Sequence, residues 1–181
     1  LERRGGSARC RFATGYSMTN KRLLIEHPGE RVAHVVMNRS EKLNAMDRRF
    51  FDELLEVMGG LAEDSAVGAV VLRGAGRAFS AGGDIATFPT VAESFESSTE
   101  HLEAVFGAFH AVESCPVPVI AAVHGFAHGG GLEILVACDM AIAASDATFA
   151  FREASLGLMP GFGVSRAPDK VGLQWTLRLA T

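Results

Sequence analysis

Two glycine corners and two acids are the parts of this 181-residue chain whose types and spacing can do chemistry. The stretch Ile120–Asp139, IAAVHGFAHGGGLEILVACD, opens as an apolar strand, breaks at Gly125, gathers Gly129, Gly130 and Gly131, and continues as an apolar helix. Consecutive glycines leave backbone N–H groups uncovered, and a helix starting there adds unpaired N–H groups at its positive end. Such a corner can hold negative charge developing on an oxygen. A second corner, Gly82-Gly83 in SAGGD, also ends a strand. Two donors, from Gly83 and Gly130, converging on one carbonyl oxygen would form an oxyanion hole. Glu133 falls in the first turn of the helix after Gly131, and Glu153 lies in AFREASLGL; both settings are apolar. A lone buried carboxylate is costly, so two of them suggest a purpose. A plainer reading also stands: Glu133 complements the helix-end donors, and Glu153 pairs with Arg152 or starts a helix.

Other motifs are weaker. GAGRAF at Gly74–Phe79 follows a strand and imitates a dinucleotide fingerprint, but Phe79 sits where the third glycine is needed. No G-x-S-x-G elbow is present. His124 and His128 are four apart with Glu133 nearby, yet Gly125 interrupts any helix through both and HExxH is absent. Hydrogen-bonded histidines are expected there, and no metal. A formal net charge of −4 leaves no basic footprint for nucleic acid. Cys10, Cys115 and Cys138 are too few for a disulfide scaffold, which favours a reducing compartment. The apolar run PVPVIAAV stops at His124, well short of a membrane span.

The elements that must position these residues read as α/β. Residues 1–17 carry Arg3, Arg4, Arg9 and Arg11 against one acid and share no pattern with the rest. They are set aside as an unstructured or non-native leader; Met18 is a natural start, and a genuine transit segment would point to the mitochondrial matrix instead of the cytoplasm. One domain is expected over 18–181. LLIEH and RVAHVVM alternate around Pro28-Gly29 as a hairpin. Asp47 caps a helix to about Leu61, with Phe50, Phe51, Leu54, Leu55 and Met58 on its apolar face. VGAVVLRG is a buried strand, Asp84 caps a helix start, and a long amphipathic helix lies within Ala92–Glu113. MAIAAS and ATFAF are short strands, followed by a glycine-rich loop and helix. Strands alternating with helices imply a largely parallel sheet.

The pieces VVMNRSEKLNAM, AVVLRGAGRAFSAGGDI, PVPVIAAVHGFAHGGGLEILVACDMAIAA and FREASLGLMPGFG, in that order and spacing, resemble the crotonase (enoyl-CoA hydratase/isomerase) superfamily from about Leu23 to Gly163. The resemblance implies a stack of ββα units and an acyl-CoA thioester substrate. It places the oxyanion donors on Gly83 and Gly130 and the catalytic acids on Glu133 and Glu153. Leu43, Ala45, Ala81, Asp84, Ile85, Ala86 and Gly129 fall on the family's CoA and substrate wall, with Lys42 meeting phosphate. Having both acids implies an enoyl-CoA hydratase, with no cofactor beyond the CoA of the substrate. The alternatives are an enoyl-CoA isomerase and a truncated acyl-CoA-binding protein with little activity. Ser40 stands where the family has proline, His128 where it has an apolar residue, and VSRAPDKVG fits the usual segment poorly. The family continues into a C-terminal helical region that covers the pocket and builds a homotrimer or a dimer of trimers. That region is expected to be missing after Thr181, leaving Trp175, Leu177 and Leu179 without an evident home.

Overall fold

The computed structural model describes residues 21–181, so the leader assigned to 1–17 and the domain start at 18 lie outside the described residues. The hairpin is present as β1 (Leu23–Gly29) and β2 (Val32–Met37), paired antiparallel with an irregularity between Glu26 and Gly29. The chain reverses at Glu30-Arg31, two residues beyond the expected Pro28-Gly29, and Arg31 takes φ 63°. β1 is an edge strand, where a residue without an N–H is tolerated, so Pro28 can stay within it.

β2, β3 (Ala69–Gly74), β4 (Val119–Val123) and β6 (Met140–Ala143) run parallel, and the five-stranded order is β1-β2-β3-β4-β6. Helices α1 (Arg48–Glu63) and α3 (Phe95–Glu113) supply Phe50, Leu54, Met58, Leu61, Phe109 and Val112 to one core, together with Val35, Val70, Leu72, Val119 and Ala121 of the sheet. Asp47 caps α1 by accepting from Phe50 N, and Ser94 with Ser97 forms a capping box on α3. Leu55 departs from expectation and is about half exposed. At 100° per residue it lies beyond Phe51 on the edge of the stripe that Phe50, Leu54, Met58 and Leu61 define. Asp84 caps the short 3₁₀ turn Ile85–Thr87, which leads into α2 (Phe88–Val91).

After β4 the chain forms β5 (Phe126–His128), α4 (Gly130–Ala137), β6 and β7 (Thr148–Ala150). β5 pairs with β7 in a small second sheet, and an isolated bridge joins Ser80 to Ala127. The crotonase-like stack thus appears as successive strand–strand–helix turns, with later second strands leaving the large sheet for the small one. A 3₁₀ turn at Glu153–Leu156, α5 (Gly163–Val171) and α6 (Leu173–Ala180) complete the described chain. Trp175 and Leu177 are exposed, as expected; Leu179 is not homeless. It packs against the small core cluster made by Leu132, Val136, Phe151 and Ala167, and its carbonyl accepts from Phe151 N. Among the described residues no helix is long and apolar enough to cross a membrane.

Candidate active site

The first corner is held by a loop packed beside it. Leu43 and Asn44 both take φ 55°, and the turn Ser40–Lys42 feeds them inward. Asn44 is buried: its Nδ2 faces the carbonyls of Ala75, Ala78 and Phe79 at 2.8–3.1 Å, and its Oδ1 accepts from Arg39 N. Ala81 N donates to Leu43 O, Met46 N to Gly82 O, and Asp84 N to Met46 O. This ladder brings Leu43 and Ala45 alongside Ala81, Gly83 and Asp84; Lys42, Ile85 and Ala86 are solvent-exposed around it. Asp84 Oδ2 accepts from Arg39 Nη1 and Oδ1 from Ala86 N.

The second corner meets the first face to face. Ser80 N donates to Phe126 O and His128 N to Ser80 O, so the two segments run side by side. Close approach then requires glycine. A Cβ on Gly82 (φ 94°) would lie 2.7 Å from His128 O, and one on Gly131 would lie 2.7 Å from Ser80 O. A Cβ on Gly130 would lie 3.5 Å from the Gly83 nitrogen, which shows how near the two corners come. Among the described residues, neither the Gly83 nor the Gly130 N–H donates to a protein acceptor. Two neighbouring donors without partners are competent to share one oxygen.

Both acids reach this region. Glu133, on the first turn of α4, is 7% exposed, and its Oε1 accepts from Gly163 N at 2.8 Å. Burial pushes its carboxyl above the ordinary value, while the N–H groups of Gly163, Phe162 and Gly161 pull the other way. Glu153 opens the 3₁₀ turn after β7, and its Oε1 would lie 3.1 Å from a Cβ on Gly129, where φ is 51°. Its Oε2 is buried, with no hydrogen-bond partner among the described residues. Burial raises Glu153 as well; its own N–H opposes this, and the negative charge of Glu133 adds to the rise. The two carboxyls therefore sense one another and resist ionising together.

The histidines are engaged elsewhere. His124 Nε2 lies 2.8 Å from Gly76 O; the His128 ring stacks on Phe126 and its Nε2 lies 3.3 Å from Thr148 Oγ1. Burial, with the charge of Arg152, pushes His128 below its ordinary value, so the ring is neutral near pH ~7. Among the described residues no cluster of three or more His, Cys, Asp or Glu side chains could hold a metal. Arg39, Asn44, Ser80 and the Gly163 N–H are site components that sequence reasoning passed over. Only Asn44 left a signal, since Asn is one of the few residue types that tolerates the left-handed region.

The architecture is that of the crotonase fold. Over 87% of its length the chain resembles an enoyl-CoA hydratase structure from Bacillus anthracis, at 30% identity and TM-score 0.80 over 61% of that chain. It resembles Pseudomonas aeruginosa AtuE at 35% identity and TM-score 0.82, covering 88% of this chain and 62% of that one. The family described as "Enoyl-CoA hydratase/isomerase" matches residues 28–179, and the chain belongs to that family. A probable enoyl-CoA hydratase of Bacillus subtilis is 41% identical over 137 residues, 75% of this chain and 53% of its own length. The mouse mitochondrial Delta(3,5)-Delta(2,4)-dienoyl-CoA isomerase is 36% identical over 155 residues, 79% of this chain and 47% of its own. The chain thus spans about half the length of these curated relatives.

Proposed function

We propose that this protein is an enoyl-CoA hydratase, adding water across the 2,3 double bond of a 2-enoyl-CoA thioester. The observation that carries the reading is the coincidence of two desolvated carboxyls with two unpartnered N–H donors at facing glycine corners. Gly83 and Gly130 bind the thioester oxygen. Glu133, whose anion is favoured by the Gly163 N–H, takes a proton from water as the water oxygen bonds to C3. The π electrons move onto the carbonyl, and the resulting enolate oxygen is held by the two N–H groups. Glu153, whose protonated form is favoured by burial and by the Glu133 charge, then gives its proton to C2. Proton count balances: Glu133 ends protonated and Glu153 ionised, and the product is a 3-hydroxyacyl-CoA. Oxyanion donors of this kind contribute about 10²–10³ each and general acid–base help about 10²–10⁴.

Leu43, Ala45, Ala81, Asp84, Ile85, Ala86 and Gly129 form the wall along which the CoA thioester lies, and Lys42 meets its phosphate. No cofactor is needed beyond the CoA carried by the substrate. Trimer assembly would cover apolar residues now exposed, including Met140, Ile142 and Trp175. Work in the cytoplasm fits the cysteine content; the matrix alternative rests on residues 1–17 acting as a transit segment. The isomerase reading is favoured by the similarity to dienoyl-CoA isomerases. Loss of the conjugated thioester absorbance of crotonyl-CoA tests hydration in the intact protein, and a 3-enoyl-CoA tests isomerisation. Glu133→Gln and Glu153→Gln should each cut hydration by orders of magnitude, non-additively, while acyl-CoA still binds. Turnover of the 3-enoyl-CoA with none of crotonyl-CoA would replace the hydratase reading with the isomerase one.

A further inference from the structure

Arg39 has no part in the steps above, yet it is one of the best-anchored charges in the molecule. Its side chain is 15% exposed; Nη1 donates to Asp84 Oδ2 at 2.7 Å and to Ala45 O at 3.1 Å, and lies 3.5 Å from Asp47 Oδ2. Asp47 in turn accepts from Nε and Nη2 of Arg22 while capping α1. Burial pushes the Asp47 carboxyl up, but the hydrogen bonds from Arg22 and Phe50 N outweigh it and hold it below its ordinary value. Four charges of alternating sign therefore run from the entry of β1 to the residue that follows Gly83. A lone exposed pair would be worth little, but removing one member of a mostly buried alternation leaves its neighbours uncompensated.

The far end of this chain touches the oxyanion corner. Gly83 has no side chain to fix it, and among the described residues the peptides on either side are hydrogen-bonded by Met46: Met46 N donates to Gly82 O, and Met46 O accepts from Asp84 N. Arg39 fastens both rails of that ladder, gripping the carbonyl of Ala45 on one and the carboxylate of Asp84 on the other. Both Asp84 oxygens are occupied within the protein, so this carboxylate works on the loop.

We infer that Arg39 is a positioning residue that fixes the direction of the Gly83 N–H by holding Asp84 and the Ala45–Met46 backbone together. The inference rests on the reading of Gly83 as an oxyanion donor. A guanidinium suits the task because the two N–H bonds of Nη1 are fixed in its plane and serve both acceptors in set directions; a lysine ammonium can replace its charge but rotates freely and lacks that fixed direction.

The test uses the intact protein with Arg39→Gln, Arg39→Lys and Asp84→Asn. Two quantities are read: kcat and KM for crotonyl-CoA, and the carbonyl stretch of bound butyryl-CoA carrying ¹³C at the thioester carbon. In the unsubstituted protein the two donors should shift that band to lower frequency than in solution. Arg39→Gln should return it toward the solution value and lower kcat about tenfold or more, with KM changing less than about threefold. Arg39→Lys should recover part of the loss, and adding Asp84→Asn to Arg39→Gln should cost little more. If Arg39→Gln fails to fold, Arg39→Lys and Asp84→Asn carry the same spectroscopic reading. A shifted band that stays unchanged in every variant that folds overturns this inference alone. An unshifted band in the unsubstituted protein overturns the oxyanion assignment and this inference with it.

Discussion

Gly131→Ala isolates the contact between the two corners. Gly131 lies in α4 with φ outside the left-handed region, so alanine meets no backbone strain there. What it meets is Ser80: the new Cβ would lie 2.7 Å from Ser80 O and 2.9 Å from Ser80 Cβ. Bringing the first contact to the 3.4 Å of ordinary packing needs roughly 0.7 Å of movement between α4 and the Ser80–Gly83 segment. Both sides are backbone or tightly bonded, since Ser80 Oγ donates to Asn44 O and accepts from Gly82 N. The shift therefore passes to Gly83 and Gly130. Misplacement on the order of 1 Å costs about 10²-fold, so kcat should fall roughly 10–100-fold. Overpacking costs about 1–3 kcal/mol, and the better helix propensity of alanine offsets about 1 of these, so the fold should survive. Gly59→Ala is the matched control: a Cβ in that helical position meets nothing within 4 Å. It should stabilise slightly with activity unchanged. The assay is steady-state hydration of crotonyl-CoA together with thermal unfolding of each variant. Unaltered kcat in a folded Gly131→Ala protein would refute the idea that corner spacing sets the oxyanion hole.

Glu133 and Glu153 also make a pH prediction. Burial holds both folded carboxyls above the ordinary 4.5, so the folded state keeps protons that the unfolded state has released between 4.5 and the raised values. Stability from this source falls as pH rises through that window. Glu133→Gln and Glu153→Gln should each raise Tm by a few degrees at about pH 7.5, with the gain closing as pH approaches about 4.5; scanning calorimetry across that range checks it. Asn44→Ala takes away the two amide protons shared among the carbonyls of Ala75, Ala78 and Phe79, the last two of these contacts buried, and puts alanine at φ 55°. Urea unfolding should show a loss of about 2–5 kcal/mol, and a loss under about 1 would deny Asn44 its role.

Much of this was legible in the sequence because it depends on local rules. The helix α1 follows from the spacing of Phe50, Leu54, Met58 and Leu61 after the Asp47 cap, and the parallel strands follow from short apolar runs between helices. The glycine corners and the apolar settings of Glu133 and Glu153 were equally visible, because glycine and a lone acid stand out from their neighbours whatever the fold. Recognition of family motifs then tied these signals to one architecture.

What the sequence left undecided depends on contacts between distant segments. β5 is only three residues long, too short to show a period, and exists because Ser80 and β7 lie on either side of Ala127. Leu179 finds its place because α6 folds back onto Phe151. The donor to Glu133 comes from Gly163, thirty residues away, and the charge facing Asp84 comes from Arg39, forty-five away. Residue type and spacing determined which groups could act as acids or donors. Burial, which depends on every segment at once, decided that Glu133 is held by an N–H while one oxygen of Glu153 has no partner among the described residues.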